Sequence, residues 1–85
     1  MQIKIKKSAL KQLEKLPRNI QILFSEFLKD LHREGMNSEG WSPKKLTGES
    51  TTYRAKLGQR YRVIIEFKKP DLIIIKVASR EGVYK

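Results

Sequence analysis

Between Tyr53 and Phe67 the side chains alternate so regularly that one strand pairing satisfies them. Tyr53, Ala55 and Leu57 interleave with Arg54 and Lys56, and Tyr61, Val63, Ile65 and Phe67 interleave with Arg62, Ile64 and Glu66. Side chains of a strand point to opposite faces in turn, so each run presents one apolar face. For both apolar faces to meet one core, the connection must hold an odd number of residues. Gly58-Gln59-Arg60 supplies three. The pattern predicts an antiparallel hairpin of about Thr52 to Leu57 and Tyr61 to Phe67, pairing Leu57 with Tyr61, Lys56 with Arg62, Ala55 with Val63 and Arg54 with Ile64. A two-residue connection would send Arg62 into the core.

A third strand, Ile73 to Ser79, follows the turn Lys68-Lys69-Pro70-Asp71. The same parity assigns Ile73, Ile75, Val77 and Ser79 to the core face and Ile74, Lys76, Ala78 and Arg80 to the other. Upstream, Gln2 to Lys6 alternates Ile3 and Ile5 with polar residues as a short strand does. Ser8 is placed to cap a helix carrying Ala9, Leu10, Leu13 and Leu16, interrupted at Pro17. Ile20, Leu23, Phe24, Phe27, Leu28 and Leu31 recur at helical spacing in a second helix, with Gly35 as its stop. Residues 36 to 52 read as a loop pinned on the core by Trp41 and Leu46; an aromatic there is also able to stack on a base. The fold expected is α+β: an N-terminal strand, a two-helix hairpin and a three-stranded antiparallel meander, forming one domain over residues 1–85.

Composition narrows the chemistry. The chain has no Cys and one His, which excludes disulfides, thiolate zinc sites and Cys nucleophiles. No metal and no small-molecule cofactor is expected. With 19 Lys+Arg against 9 Asp+Glu the formal net charge is +10. Residues 53 to 85 hold nine basic and three acidic side chains, the steepest excess in the chain. Parity gathers Arg54, Lys56, Arg62, Lys76 and Arg80 on the face away from the helices, with Glu66 as its acid. Like charges across a ladder destabilise it, so the cluster points to a polyanionic partner, while an ordinary solvated sheet face is its alternative. No apolar run reaches the roughly 20 residues of a membrane span, so a soluble cytoplasmic protein is expected.

On these residues the chain resembles the RelE/ParE superfamily of small toxins from bacterial toxin–antitoxin pairs. The resemblance runs through Leu16-Pro17, Leu46-Thr47-Gly48, Tyr53-Arg54-Ala55-Lys56-Leu57, Tyr61-Arg62-Val63-Ile64-Ile65 and the terminal Arg80-Glu81-Gly82-Val83-Tyr84. It implies a helical hairpin on a twisted sheet and an antitoxin protein as partner. It also implies one of two activities: RelE-like members cut messenger RNA in the ribosomal A site, and ParE-like members inhibit DNA gyrase. A degenerate relative that only binds an antitoxin is the third possibility.

Retention of Lys56, Arg62, Arg80 and Tyr84 together favours the RelE-like branch, a metal-independent endoribonuclease acting with the ribosome. Cleavage by internal transfer needs a base for the ribose 2′-hydroxyl, stabilisation of the phosphorane and assistance to the leaving 5′-oxygen. By resemblance, Arg54 holds the phosphate and Lys56 is the candidate base, since surrounding cations favour the neutral amine. Arg62 stabilises the phosphorane, Arg80 the leaving group, and Tyr84 stacks on a base or orients the 2′-hydroxyl. Lys44, Lys45 and Lys76 are candidate RNA contacts. Ser79 stands where many relatives have His, and His32 falls on a helix away from this face.

Overall fold

The computed structural model describes residues 2–35, 39–46, 51–68 and 70–82. Strand β1 (Ile3–Ile5) leads into helices α1 (Lys7–Glu14) and α2 (Arg18–Glu34); strands β2 (Lys44–Lys45), β3 (Thr52–Leu57), β4 (Tyr61–Lys68) and β5 (Asp71–Ser79) follow. They form one mixed sheet in the order β1-β5-β4-β3-β2. The predicted meander is its centre. β1 lies parallel to β5 at one edge, and β2, within the stretch read as a loop, pairs antiparallel with β3 at the other.

The β3–β4 register is the one the alternation predicts, Lys56 opposite Arg62 and Leu57 opposite Tyr61. Gly58 turns the chain at φ +72°, a backbone region that side chains with a Cβ rarely occupy. β5 departs from the prediction. Ile64 pairs with Lys76 but Ile65 with Ile74, so Ile75 is an extra residue that shifts the register. Below it Leu72 and Ile74 are fully buried on the helix side; above it Val77 is buried there too. Ile73 and Ile75, expected on the core face, are only half-buried. An unbroken Leu72–Ile75 run has no polar residue to mark parity, and the bulge lets both halves of β5 face the same core.

Both helices pack on one sheet face, α1 over β5 and α2 against β3. Ala9, Phe24, Phe27 and Leu31 meet Ala55, Leu57, Val63, Ile65, Leu72, Ile74 and Val77, all nearly or fully buried. Trp41 anchors the α2–β2 connection, its ring edge on Phe27 at 5.2 Å and its Nε1–H donating to Asp30 Oδ2 at 2.9 Å. Leu46 does not share that role: its side chain is exposed, and the chain is tied instead by its N–H to the Thr52 carbonyl.

Two glutamines close gaps that helices and strands leave in their backbone bonding. Ser8 does not cap α1, which starts at Lys7 after an extended Lys6. Its far end is closed by Gln21 of α2, whose Nε2 lies 3.1, 3.3 and 3.1 Å from the carbonyls of Leu13, Glu14 and Leu16. β1 stops pairing at Ile74, leaving the upper edge of β5 open. There Gln12 Oε1 accepts the Val77 N–H at 2.9 Å. Truncating Gln21 frees the part-buried carbonyls of Leu13 and Leu16 between the helices, so Gln21→Ala is expected to lower stability by about 1 kcal/mol. The check is a lower urea midpoint at unchanged slope.

Candidate active site

The helix-free face of the sheet, its outer face, is set by the register. Opposite Lys56 stands Arg62; opposite Arg54 stand Ile64 on one side and Lys44 on the other; Lys76 faces Ile64 across β5. Lys4 pairs with Ile73 and shares this face. The sequence reading thus placed Arg54, Lys56, Arg62 and Lys76 correctly, and the structure adds Lys44 and Lys4. It separates the Lys44–Lys45 pair, because Lys45 is opposite Tyr53 and therefore on the helix side. Tyr84 lies outside the described residues.

Ile64 is buried, at 6% exposure, yet stands apart from the main core. Its ladder neighbours Arg54 and Lys76 have aliphatic stems long enough to cover it. Acids sit at the margin of this face: Glu66 is 3.8 Å from Lys68, and Asp71 3.9 Å from Lys4.

Arg62 is the buried charge of the site, 7% exposed. Its Nη1 donates to the carbonyls of Tyr61 at 2.8 Å and Gln59 at 3.3 Å. Among the described residues Nε and Nη2 have no bonding partner and no buried side-chain nitrogen is left unpaired, so these two nitrogens reach the surface. That edge of the guanidinium is the one that binds two oxygens of a phosphate in parallel. Lys56 is exposed directly across the ladder, with Cα atoms in such pairs about 4.5–5.5 Å apart.

Arg80 differs from its expected place. β5 ends at Ser79, and Arg80 enters a turn in which its N–H donates to the Arg60 carbonyl at 2.6 Å and the Gly82 N–H to Ser79 Oγ at 3.1 Å. Instead of extending the outer face, Arg80 lines a cleft of about 540 Å³ at the end of the sheet, with Gln59, Arg60, Tyr61, Ser79 and Glu81. Three consecutive carbonyls, 59 to 61, are bound by Arg62 and Arg80 groups, so this end is stiff. Arg60 escaped the sequence reading because it was counted only as loop; its position beside Tyr61-Arg62 was the available signal. Among the described residues no His, Cys, Asp and Glu group is arranged to hold a metal, and no helix is long and apolar enough to cross a membrane.

A two-helix layer on a mixed sheet is an architecture found in solved toxin–antitoxin structures. A chain of the RelB-RelE antitoxin–toxin complex of Methanococcus jannaschii superposes with a TM-score of 0.82 at 22% identity, over 95% of this chain and 94% of that one. A chain of the archaeal RelE-RelB complex of Pyrococcus horikoshii has a TM-score of 0.74 at 34% identity, over 93% of each. In sequence, the Methanocaldococcus jannaschii protein named "Putative toxin RelE1" is 31% identical over 84 residues, 98% of this chain and 93% of its own length. No protein-family model matches. The chain belongs to the RelE family of toxins, which these relatives extend to archaea.

The Lys56–Arg62 pair also has a consequence for the free protein. Opposed like charges cost a few tenths of a kcal/mol, so Lys56→Met is expected to raise the urea midpoint at low salt. Adding salt screens the repulsion and narrows the difference, which paired denaturation curves at two ionic strengths would read.

Proposed function

We propose that this protein is the toxin of a toxin–antitoxin pair and that it inhibits translation by cutting messenger RNA in the ribosomal A site. The observation that carries the reading is Arg62, buried and fixed by two carbonyls, with exposed Lys56 opposite it on the neighbouring strand. A phosphate seated on Nε and Nη2 of Arg62 lies against a lysine able to take the 2′-hydroxyl proton. The 2′-oxygen then attacks phosphorus, and the leaving 5′-oxygen takes up a proton as the P–O5′ bond breaks. Arg62 donates to the phosphorane oxygens. Arg54 holds the phosphate from the adjoining strand, Arg80 stabilises the leaving oxygen and Tyr84 stacks on a base. An arginine has too high a proton affinity to act as the acid, so the proton comes from water or the ribosome. Lys44 and Lys76 contact RNA from the same face and Lys45 from the opposite side of the edge.

The partner is a cognate antitoxin, as in the archaeal RelE-RelB complexes. A segment rich in Asp and Glu, ordered on binding, would offset the cationic face and block it.

Purified protein added to programmed ribosomes should cut the message, as mapped by primer extension, with free RNA as control. Lys56→Ala and Arg62→Lys should each slow the cut about 100-fold or more. Arg62→Lys is preferred to Ala, which would leave the Gln59 and Tyr61 carbonyls unpaired. Intact messages from wild-type protein, with gyrase-linked DNA breaks in expressing cells, would transfer the protein to the gyrase-inhibiting branch.

A further inference from the structure

The cleft containing Arg80 continues past it. A second hollow of about 340 Å³, lined by Pro17, Asn19 and Ile20 of the α2 entry, shares Gln59, Arg60 and Tyr61 with the first. Arg60 therefore stands on the ridge common to both. Its side chain is exposed and has no bonding partner among the described residues, while its carbonyl is held by Arg80 N–H. The backbone under it is fixed on both sides by the Arg62 guanidinium at residues 59 and 61. A cation so exposed on a rigid support is available to a ligand.

The chemistry of the lining is that of a nucleotide. Arg60 and Arg80 supply forked donors for a phosphate; Tyr61, half-buried, supplies an aromatic ring beside them. Glu81, the carboxylate of the same cleft, leaves it one net positive charge and is an acceptor for a base's amino group. The cleft volume falls within the roughly 300–1,000 Å³ of small-molecule sites. An apolar peptide would find little here to bury, and a purely acidic one would meet Glu81.

We infer that this groove is the path of the single-stranded RNA beyond the cut: Arg60 binds the phosphate next to the one on Arg62, and Tyr61 stacks on the adjoining base. This rests on the RNA-cleaving reading and adds to it a binding residue and a strand direction, from the outer face around the sheet end toward α2.

The test uses two readouts. The first is anisotropy of a labelled, uncleavable single-stranded oligonucleotide, 2′-O-methylated throughout, titrated with wild type and Arg60→Ala at several salt concentrations. Each phosphate contact on a single strand contributes about 0.7 to the slope of log K against log salt. Arg60→Ala should bind about tenfold more weakly and flatten that slope by about 0.7, and Arg60→Lys should restore the slope. The second readout is cleavage on programmed ribosomes, where Arg60→Ala should need more protein for half-maximal rate at an unchanged maximal rate and cut position. Wild-type affinity and slope in Arg60→Ala overturn the inference. If that variant instead loses only its hold on an acidic antitoxin segment, the groove belongs to that partner and the inference is overturned as well. Arg60-dependent oligonucleotide binding without any ribosomal cleavage by wild type keeps the groove and removes the nuclease reading, so the two failures are distinguishable.

Discussion

β4 is the strand on which the two faces of this protein have to agree. On one side Val63 and Ile65 are fully buried under the helices; on the other Arg62 and Ile64 are held between the neighbouring strands. Slipping β4 by one residue would exchange these sets, putting a guanidinium under Phe27 and isoleucine in water. The penalty for burying an uncompensated charge is several kcal/mol, far above any single contact on the outer face. The register is thus fixed by the core, and the positions of Lys56 and Arg62 relative to each other follow from it. Site geometry here is a by-product of hydrophobic packing on the opposite side of one strand.

How much could be read beforehand depended on whether each strand carried its own parity marks. β3 and β4 interleave charged and apolar residues, so their pairing was legible residue by residue. β5 opens with Leu72-Ile73-Ile74-Ile75, which alternates nothing, and the inherited parity failed until the bulge at Ile75 restored it for Val77 and Ser79. β1 was legible as a strand but its parallel partner was not, since a three-residue edge strand gives no pairing signal. The roles of Gln12 and Gln21 were invisible for another reason: each bonds to backbone, and any polar residue on a helix looks alike until the open carbonyl or N–H beside it is known. Arg80 was misplaced by extending a strand one residue beyond its last ladder pair.

The way Arg62 is compensated bears on what the site can do. A buried guanidinium is commonly paired with a carboxylate, which would neutralise it and compete with any incoming phosphate. Here the bonds go to two main-chain carbonyls, which satisfy Nη1 while leaving the full positive charge in place. The carbonyls belong to the connection that also carries Arg60 and receives Arg80, so immobilising Arg62 immobilises those two residues. Arg62 is thus held by neutral groups, and preorganised donors of that kind need no rearrangement as negative charge develops.

The repulsion built into this face also bears on affinity. In the free protein Lys56 and Arg62 oppose each other, and Arg54 and Lys76 flank Ile64 on the two neighbouring strands. The fold bears that cost because the helix-side core is large enough, with Phe27, Leu31, Leu57, Ile65 and Leu72 each essentially inaccessible to water and each contributing roughly 1.5–3 kcal/mol. A bound polyanion adds attractions to both cations that outweigh the repulsion between them, and the folded chain, which holds the cations together, binds it better than the unfolded chain does. Folding and ligand binding are then linked: any phosphate-bearing strand that settles on the outer face raises the stability of the sheet beneath it, and the residues that weaken the free protein are the ones that tighten the complex.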